Sequence, residues 1–175
     1  MLNVPNLLTI TRIILAPVFV FLIITDNAGT ALAVFIIAAL TDVADGFIAR
    51  RFGLRTNFGT KADPFADKFL MVCTFSALTF KGIIPVWLML PVVIRDFALL
   101  GLVLFLKWSG REVKVRTTIP GKAATFLQAV SVLYAIIVNA DDSVFTAVAA
   151  LTVAFTIYTG FYYIIKELLL QYRKG

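Results

Sequence analysis

The chain has no histidine and one cysteine, and only 15% of its 175 residues are charged. Without imidazole there can be no Ser-His-Asp triad, no His-ligated zinc and no phosphohistidine step. Acid-base or metal chemistry therefore falls to carboxylates. Cys73 stands alone inside an apolar run, so no intrachain disulfide forms and the residue reads as packing. The opening Met1-Leu2-Asn3-Val4-Pro5 lacks both the basic start of a cleavable signal and the Arg- and Ser-rich character of a transit peptide. The first hydrophobic stretch is accordingly expected to be retained. A soluble domain carries about 25% charged residues. This chain is instead 61% hydrophobic, with a mean hydropathy of +0.96, which places it in a bilayer.

A spanning helix needs roughly 20 apolar residues. Hydrophobic runs broken by Gly, Pro and charge predict six helices, over 6–25, 29–49, 63–81, 84–107, 119–139 and 143–165. Their apolarity runs around all faces rather than alternating, which excludes an outer-membrane barrel. Eleven cations fall on one side: Arg50, Arg51, Arg55 and Lys61, then Lys107, Arg111, Lys114 and Arg116, then Lys166, Arg173 and Lys174. The other side holds Lys81 with Asp26, Asp141 and Asp142. By the positive-inside rule both termini and both basic loops are cytoplasmic. The expected fold is an all-α integral membrane protein of six transmembrane helices, a single domain over residues 1–175. The net charge of +6 is explained by orientation and by attraction to anionic membrane lipids, without a nucleic acid partner.

Charges predicted within or at the ends of spans are different, because each costs about 2.5–3.5 kcal/mol near a helix centre. They are Arg12, Asp42, Asp45, Asp63, Asp67, Lys68, Arg95, Asp96 and Lys122. Asp42 and Asp45 stand three apart and Asp63 and Asp67 four apart, so each pair shares one helix face. A tight basic hairpin joins the two helices and lets those faces converge. Four gathered carboxylates repel unless cations neutralise them. All-oxygen ligation selects Mg²⁺, Mn²⁺ or Ca²⁺ over zinc or copper. Gly46 and Ala49 lie on the same face and leave room for a substrate against the backbone, and Arg50 follows. Two metals beside an arginine at a membrane surface suit a lipid-linked diphosphate.

The segment Asp42-x2-Asp45-Gly46-x2-Ala49-Arg50-x8-Gly59-x3-Asp63-x3-Asp67 resembles the signature of the CDP-alcohol phosphotransferase family at every fixed position. The opening Pro5-Asn6-Leu7-Leu8-Thr9-x2-Arg12 resembles the branch that makes phosphatidylglycerophosphate. The resemblance implies a dinuclear site of two divalent cations, Mg²⁺ or Mn²⁺, held by Asp42, Asp45, Asp63 and Asp67, with Asp67 as general base. It also implies a pocket for the CDP-lipid from Gly46, Ala49, Arg50 and Thr56, closed by Asn6 and Thr9. The donor would be CDP-diacylglycerol, the location a bacterial inner membrane with the site facing the cytoplasm, and the assembly a homodimer. One departure is Ala62, where a bulkier apolar residue often precedes the third aspartate; it bears on packing more than on ligation.

An acceptor alcohol bearing phosphate needs cations, and Arg95, Arg116 and Lys122 are the candidates. Each also has a plainer role: Arg95 can pair with Asp96, Arg116 can orient its loop and Lys122 can snorkel to the headgroups. Pro120-Gly121-Lys122-x2-Thr125-x2-Gln128 resembles a segment of the phosphatidylglycerophosphate-forming branch, whose acceptor is glycerol 3-phosphate. Arg95-Asp96, in place of Arg-Glu, is more like the cardiolipin-forming relatives, whose acceptor is phosphatidylglycerol. The phospholipase-D-type cardiolipin synthases need histidine and are excluded. A cation or proton transporter also uses intramembrane carboxylates, but it would show repeated halves and ion sites at mid-membrane, which this sequence does not.

Overall fold

The computed structural model describes residues 4–51, 57–109, 119–138 and 142–172, with side chains described over 9–41, 65–106, 108–109, 119–138 and 142–166. Its six helices are α1 (Val4–Ile24), α2 (Ala28–Arg51), α3 (Asn57–Phe80), α4 (Val86–Trp108), α5 (Ile119–Ile137) and α6 (Ser143–Tyr172). The ends differ from those expected where hydropathy and backbone geometry part company. Helix α3 starts six residues before Asp63, and α6 continues from Lys166 to Tyr172, where Lys166, Glu167 and Gln171 extend a helix well without being apolar. Helix α4 starts directly after Pro85, which cannot donate to a preceding turn. The chain falls into two compact units, Met1–Ile83 and Ile84–Gly175.

In the N-terminal unit, α1 packs on both α2 and α3. Helices α1 and α3 end in the same way. Asn27 N–H donates to Leu22 O and Asp26 N–H to Ile23 O, while Ile83 N–H donates to Leu78 O and Gly82 N–H to Thr79 O. Both are paired C-terminal caps around one left-handed residue, Asp26 at φ 60° and Gly82 at φ 71°. Glycine adopts that conformation without strain, whereas Asp26 adopts it at a cost that its short polar side chain moderates. Lys81 ties the two caps together, 2.6 Å from Asp26 and donating to Ile24 O at 3.2 Å. Helices α1 and α3 are therefore parallel. Helix α2, whose Ala31 N–H donates back to Asn27 O, runs the other way. The unit's core sets Phe19 against Phe35, ring centres 6.0 Å apart and planes tilted by 55°, and holds a layer of Ala16, Ala38 and Leu70.

In the C-terminal unit, α6 packs on both α4 and α5. The α5–α6 contact is a ladder of small polar groups: Gln128 Nε2 donates to Thr156 Oγ1 at 3.3 Å, and Ser131 Oγ meets Thr152 Oγ1 at 2.8 Å. Lipid tails are as apolar as Leu, so spanning helices associate through close approach and hydrogen bonds rather than a hydrophobic drive. Asp142 starts α6 by accepting from Val144 N–H, and its carboxylate also accepts from Tyr134 Oη.

Among the described residues, Val86–Leu106, Ile119–Ile137 and Ser143–Lys166 are long and apolar enough to cross a membrane, and α1 and α2 hold shorter apolar stretches. The first is 21 residues long, about 32 Å at 1.5 Å per residue, close to the ~30 Å hydrocarbon core. Trp87 and Trp108 mark its two ends, both exposed, as expected of interfacial aromatics. Phe21, Phe80, Phe97, Phe126 and Phe161 are all more than half exposed, an apolar surface suited to lipid rather than water. Tyr158 stacks on Tyr162, Tyr162 meets Tyr163 edge to face, and Lys166 Nζ lies 5.6 Å from the Tyr162 ring. Such a cluster is suited to an interfacial aromatic belt.

Candidate active site

The layer of Ala16, Ala38 and Leu70 fixes the register of the three N-terminal helices. Moving away from the capped end means going toward the N-termini of α1 and α3 and toward the C-terminus of α2. One turn along, about 6 Å, that face carries Arg12 on α1, Asp42 on α2, and Ala66 and Asp67 on α3. Seven residues from the layer on every helix, which is two turns, stand Thr9, Asp45 and Asp63. Eleven residues away, or three turns, come Ala49 on α2 and Gly59 on α3. Spacings of 4, 7 and 11 keep to one stripe of a helix. The stripes that meet in the core thus continue through all four aspartates and end on two small residues.

Asp42, Asp45 and Asp63 have helical backbones; their side chains lie outside the described residues, as do those of Asn6, Ala49 and Arg50. Gly46 is likewise placed on α2 by its backbone alone, while Thr56 and Arg116 lie outside the described residues altogether. Thr9 is fully buried, Asp67 half-buried, and both are engaged by neighbours. Among the described side chains no group of three metal-binding residues occurs, since Asp67 is the one member of the quartet with a described side chain.

Arg12 carries more weight than sequence reading gave it. Its side chain is 1% exposed and engaged by neighbours. A guanidinium in a low-dielectric core is costly without compensation, and this one sits at the level of Asp42 and Asp67. By their backbone positions four aspartates follow the stripe on which Arg12 also stands. An oxygen-only donor set of this kind fits hard divalent cations.

The expected acceptor residues that are described lie in the C-terminal unit. Arg95 on α4 is 8% exposed, and its Nη1 donates to Asp96 Oδ1 at 2.7 Å. The plainer reading of Arg95, a pair with its neighbour, is therefore present. Arg95 Nε has no partner among the described residues. Lys122, in the first turn of α5, is exposed. Sequence reading passed over Thr152, Thr156, Thr159 and Gly160 on α6, all buried. Hydroxyls and glycine leave no mark in a hydropathy profile.

A family model described as CDP-alcohol phosphatidyltransferase matches residues 2–158. The chain is 33% identical to the CDP-diacylglycerol--glycerol-3-phosphate 3-phosphatidyltransferase of Bacillus subtilis (strain 168), over 95% of this chain and 96% of that one. It is 42% identical to the cardiolipin synthase (CMP-forming) of Homo sapiens and 41% identical to that of Rattus norvegicus, over 61% of this chain in both cases. These alignments cover 36% of the human and 35% of the rat protein, so the chain spans about a third of their length and nearly all of the bacterial relative.

Proposed function

The chain belongs to the CDP-alcohol phosphatidyltransferase family, and from that membership we propose that it transfers the phosphatidyl group of CDP-diacylglycerol to glycerol 3-phosphate, giving phosphatidylglycerophosphate and CMP. The observation that carries the reading is the stripe of Asp42, Asp45, Asp63 and Asp67 continuing from the core layer of Ala16, Ala38 and Leu70. End-to-end similarity to the Bacillus subtilis transferase supports the choice of acceptor.

In this reading Gly46, Ala49 and Gly59 keep the helix surfaces low where the diphosphate approaches. Arg50 and Thr56 hold the cytidine end, with Asn6 and Thr9 beside them. When bound by Asp42, Asp45, Asp63 and Asp67, two divalent cations, Mg²⁺ or Mn²⁺, would offset the negative charge of the diphosphate and of the departing CMP. Asp67 takes the proton of the acceptor hydroxyl as its oxygen bonds to the phosphorus that bears diacylglycerol, and the bond from that phosphorus to CMP breaks. Arg95, Arg116 and Lys122 hold the acceptor's phosphate. A carboxylate is a weak base, so positioning and charge stabilisation supply much of the barrier reduction. Residues 1–175 act as one domain of six transmembrane helices. Both termini and the basic loops face the cytoplasm of a bacterial inner membrane, and the chain works as a homodimer.

A second reading keeps the chemistry and changes the acceptor to phosphatidylglycerol, with cardiolipin as product. The Arg95–Asp96 pair and the similarity to the mammalian cardiolipin synthases favour it. Purified protein incubated with CDP-diacylglycerol, Mg²⁺ and separately glycerol 3-phosphate, phosphatidylglycerol, inositol phosphate or serine decides between them by its lipid product. Phosphatidylglycerophosphate is the expected product. Cardiolipin would move the assignment to the second reading, and no CMP release with any acceptor would remove both.

A further inference from the structure

Of the helical glycines with described surroundings, Gly29 and Gly101 would accept a methyl group freely, with nothing within 4 Å of an added Cβ. Gly160 would not. A Cβ there would lie 3.3 Å from Arg95 Cγ and 3.9 Å from Arg95 Cβ. The stem of Arg95 therefore lies close against bare α6 backbone, and a methyl group there would require it to give by a few tenths of an ångström.

That contact bears on where the guanidinium goes. Residues 95 and 96 are neighbours in a helix and project about 100° apart, so Arg95 reaches Asp96 only by turning back along α4. With α6 pressed against its stem, the side chain is held in that turned course, and Nη1 is committed to Asp96 at 2.7 Å. The Nε edge is left unspent, buried and without a partner among the described residues. The hydroxyl nearest in sequence to the contact, Thr159, donates to its own helix at Phe155 O. One turn back, Thr156 accepts from Gln128. An Arg edge kept from the described protein acceptors in this way is suited to donate charge-assisted hydrogen bonds to phosphate oxygens.

We infer that Gly160 is a positioning residue for the acceptor: its missing side chain sets the course of Arg95 and so aims the Nε edge at the acceptor's anionic phosphate. This rests on the reading that Arg95 binds that phosphate. Glycerol 3-phosphate and phosphatidylglycerol both present such oxygens, so the inference holds for either acceptor, and the test uses whichever the acceptor panel selects.

The test is steady-state kinetics with CDP-diacylglycerol on the wild type, Gly160→Ala, Gly101→Ala, Arg95→Ala and the double variant Arg95→Ala/Gly160→Ala. Displacing Arg95 by a few tenths of an ångström should raise the acceptor KM about fivefold to tenfold. Donor KM and kcat should stay within about twofold, and Gly101→Ala should change nothing. With Arg95 shortened, the atom that the new methyl meets is gone, so Gly160→Ala should add no further penalty. An equal penalty in both backgrounds would overturn the inference. If Arg95→Ala raises the acceptor KM and Gly160→Ala does not, the inference falls and the reading of Arg95 stands. If Arg95→Ala leaves it unchanged, the reading falls and takes the inference with it. Should Gly160→Ala fail to fold, recovery of folding in the double variant supports the contact, and failure of both counts against it.

Discussion

The two ends of the N-terminal unit handle carboxylates in opposite ways. At one end Asp26 meets Lys81 at 2.6 Å, charge for charge, and two backbone caps close α1 and α3. At the other end four aspartates follow a single stripe down α2 and α3 with Arg12 at their level. A protein that needed only to fold could have closed both ends like the first. In the proposed reading, the like charge gathered at the second end would raise the free energy of the unloaded unit and be relieved by binding cations. On that reading one end serves stability and the other a ligand, and each substitution below should behave according to its end.

The largest effect belongs to Asp67. In the proposed reading, replacing it with Asn removes the base and a charged ligand but little volume. We expect CMP release from CDP-diacylglycerol to fall at least about 100-fold, with the thermal transition in detergent within a few degrees of wild type. Activity near wild type would dissolve the contrast between the two ends. Asp42→Asn comes next. Its expected signature is a tenfold or larger rise in the Mg²⁺ concentration for half-maximal activity. A matching change should appear without catalysis: Mg²⁺ stabilises a protein that binds it only when folded, so the Mg²⁺-induced rise in Tm should need correspondingly more metal in the variant. An unaltered Tm titration would argue that position 42 does not ligate.

The sequence shows this contrast only in part. Apolar runs located the six helices of the described residues, because long apolar stretches favour a helix that satisfies its own backbone. They misplaced starts and stops where a helix runs on past its apolar stretch, as in Asn57–Lys61 and Lys166–Tyr172. Spacing put Asp42 with Asp45 and Asp63 with Asp67, since a helix face is a local property. The common level of Arg12, Asp42 and Asp67 depends on register between helices, which the packing of Ala16, Ala38 and Leu70 sets. The importance of Gly160 was illegible for a related reason: a missing Cβ matters only relative to Arg95, 65 positions away in the chain. The Asp26 cap was hidden because glycine is the residue that announces such a turn.

At the capped end, effects should be small. Asp26 is 80% exposed and Lys81 25%, so solvent screens most of their attraction, and such pairs are worth about 0–1 kcal/mol. Lys81→Met should therefore lower Tm by no more than a few degrees, somewhat beyond the ion pair alone because Lys81 also satisfies Ile24 O. The Mg²⁺ titration should be untouched. A variant that lost metal dependence here would show that the two ends are not independent.

Asp142 carries the comparison into the C-terminal unit as a carboxylate that the protein satisfies by itself. The hydrogen bond from Tyr134, reinforced by the Val144 N–H, holds its carboxyl below the ordinary value of 3.8. A group whose pKa is lowered by folding adds stability that is fully present above its unfolded pKa and is lost as pH falls through the folded value. The Tyr134→Phe variant should accordingly melt about 1–2 °C below wild type at neutral pH, with the gap closing as the solution is taken below about pH 4. The hydrogen bond is solvated, so a larger gap is not expected. Activity at neutral pH should be unchanged, because Asp142 stands outside the aspartate stripe and its carboxylate is already hydrogen-bonded by its own helix and by Tyr134. A gap that widened on acidification would mean that Asp142 is held in its protonated form instead, and that self-sufficiency is not the rule for carboxylates outside the aspartate stripe.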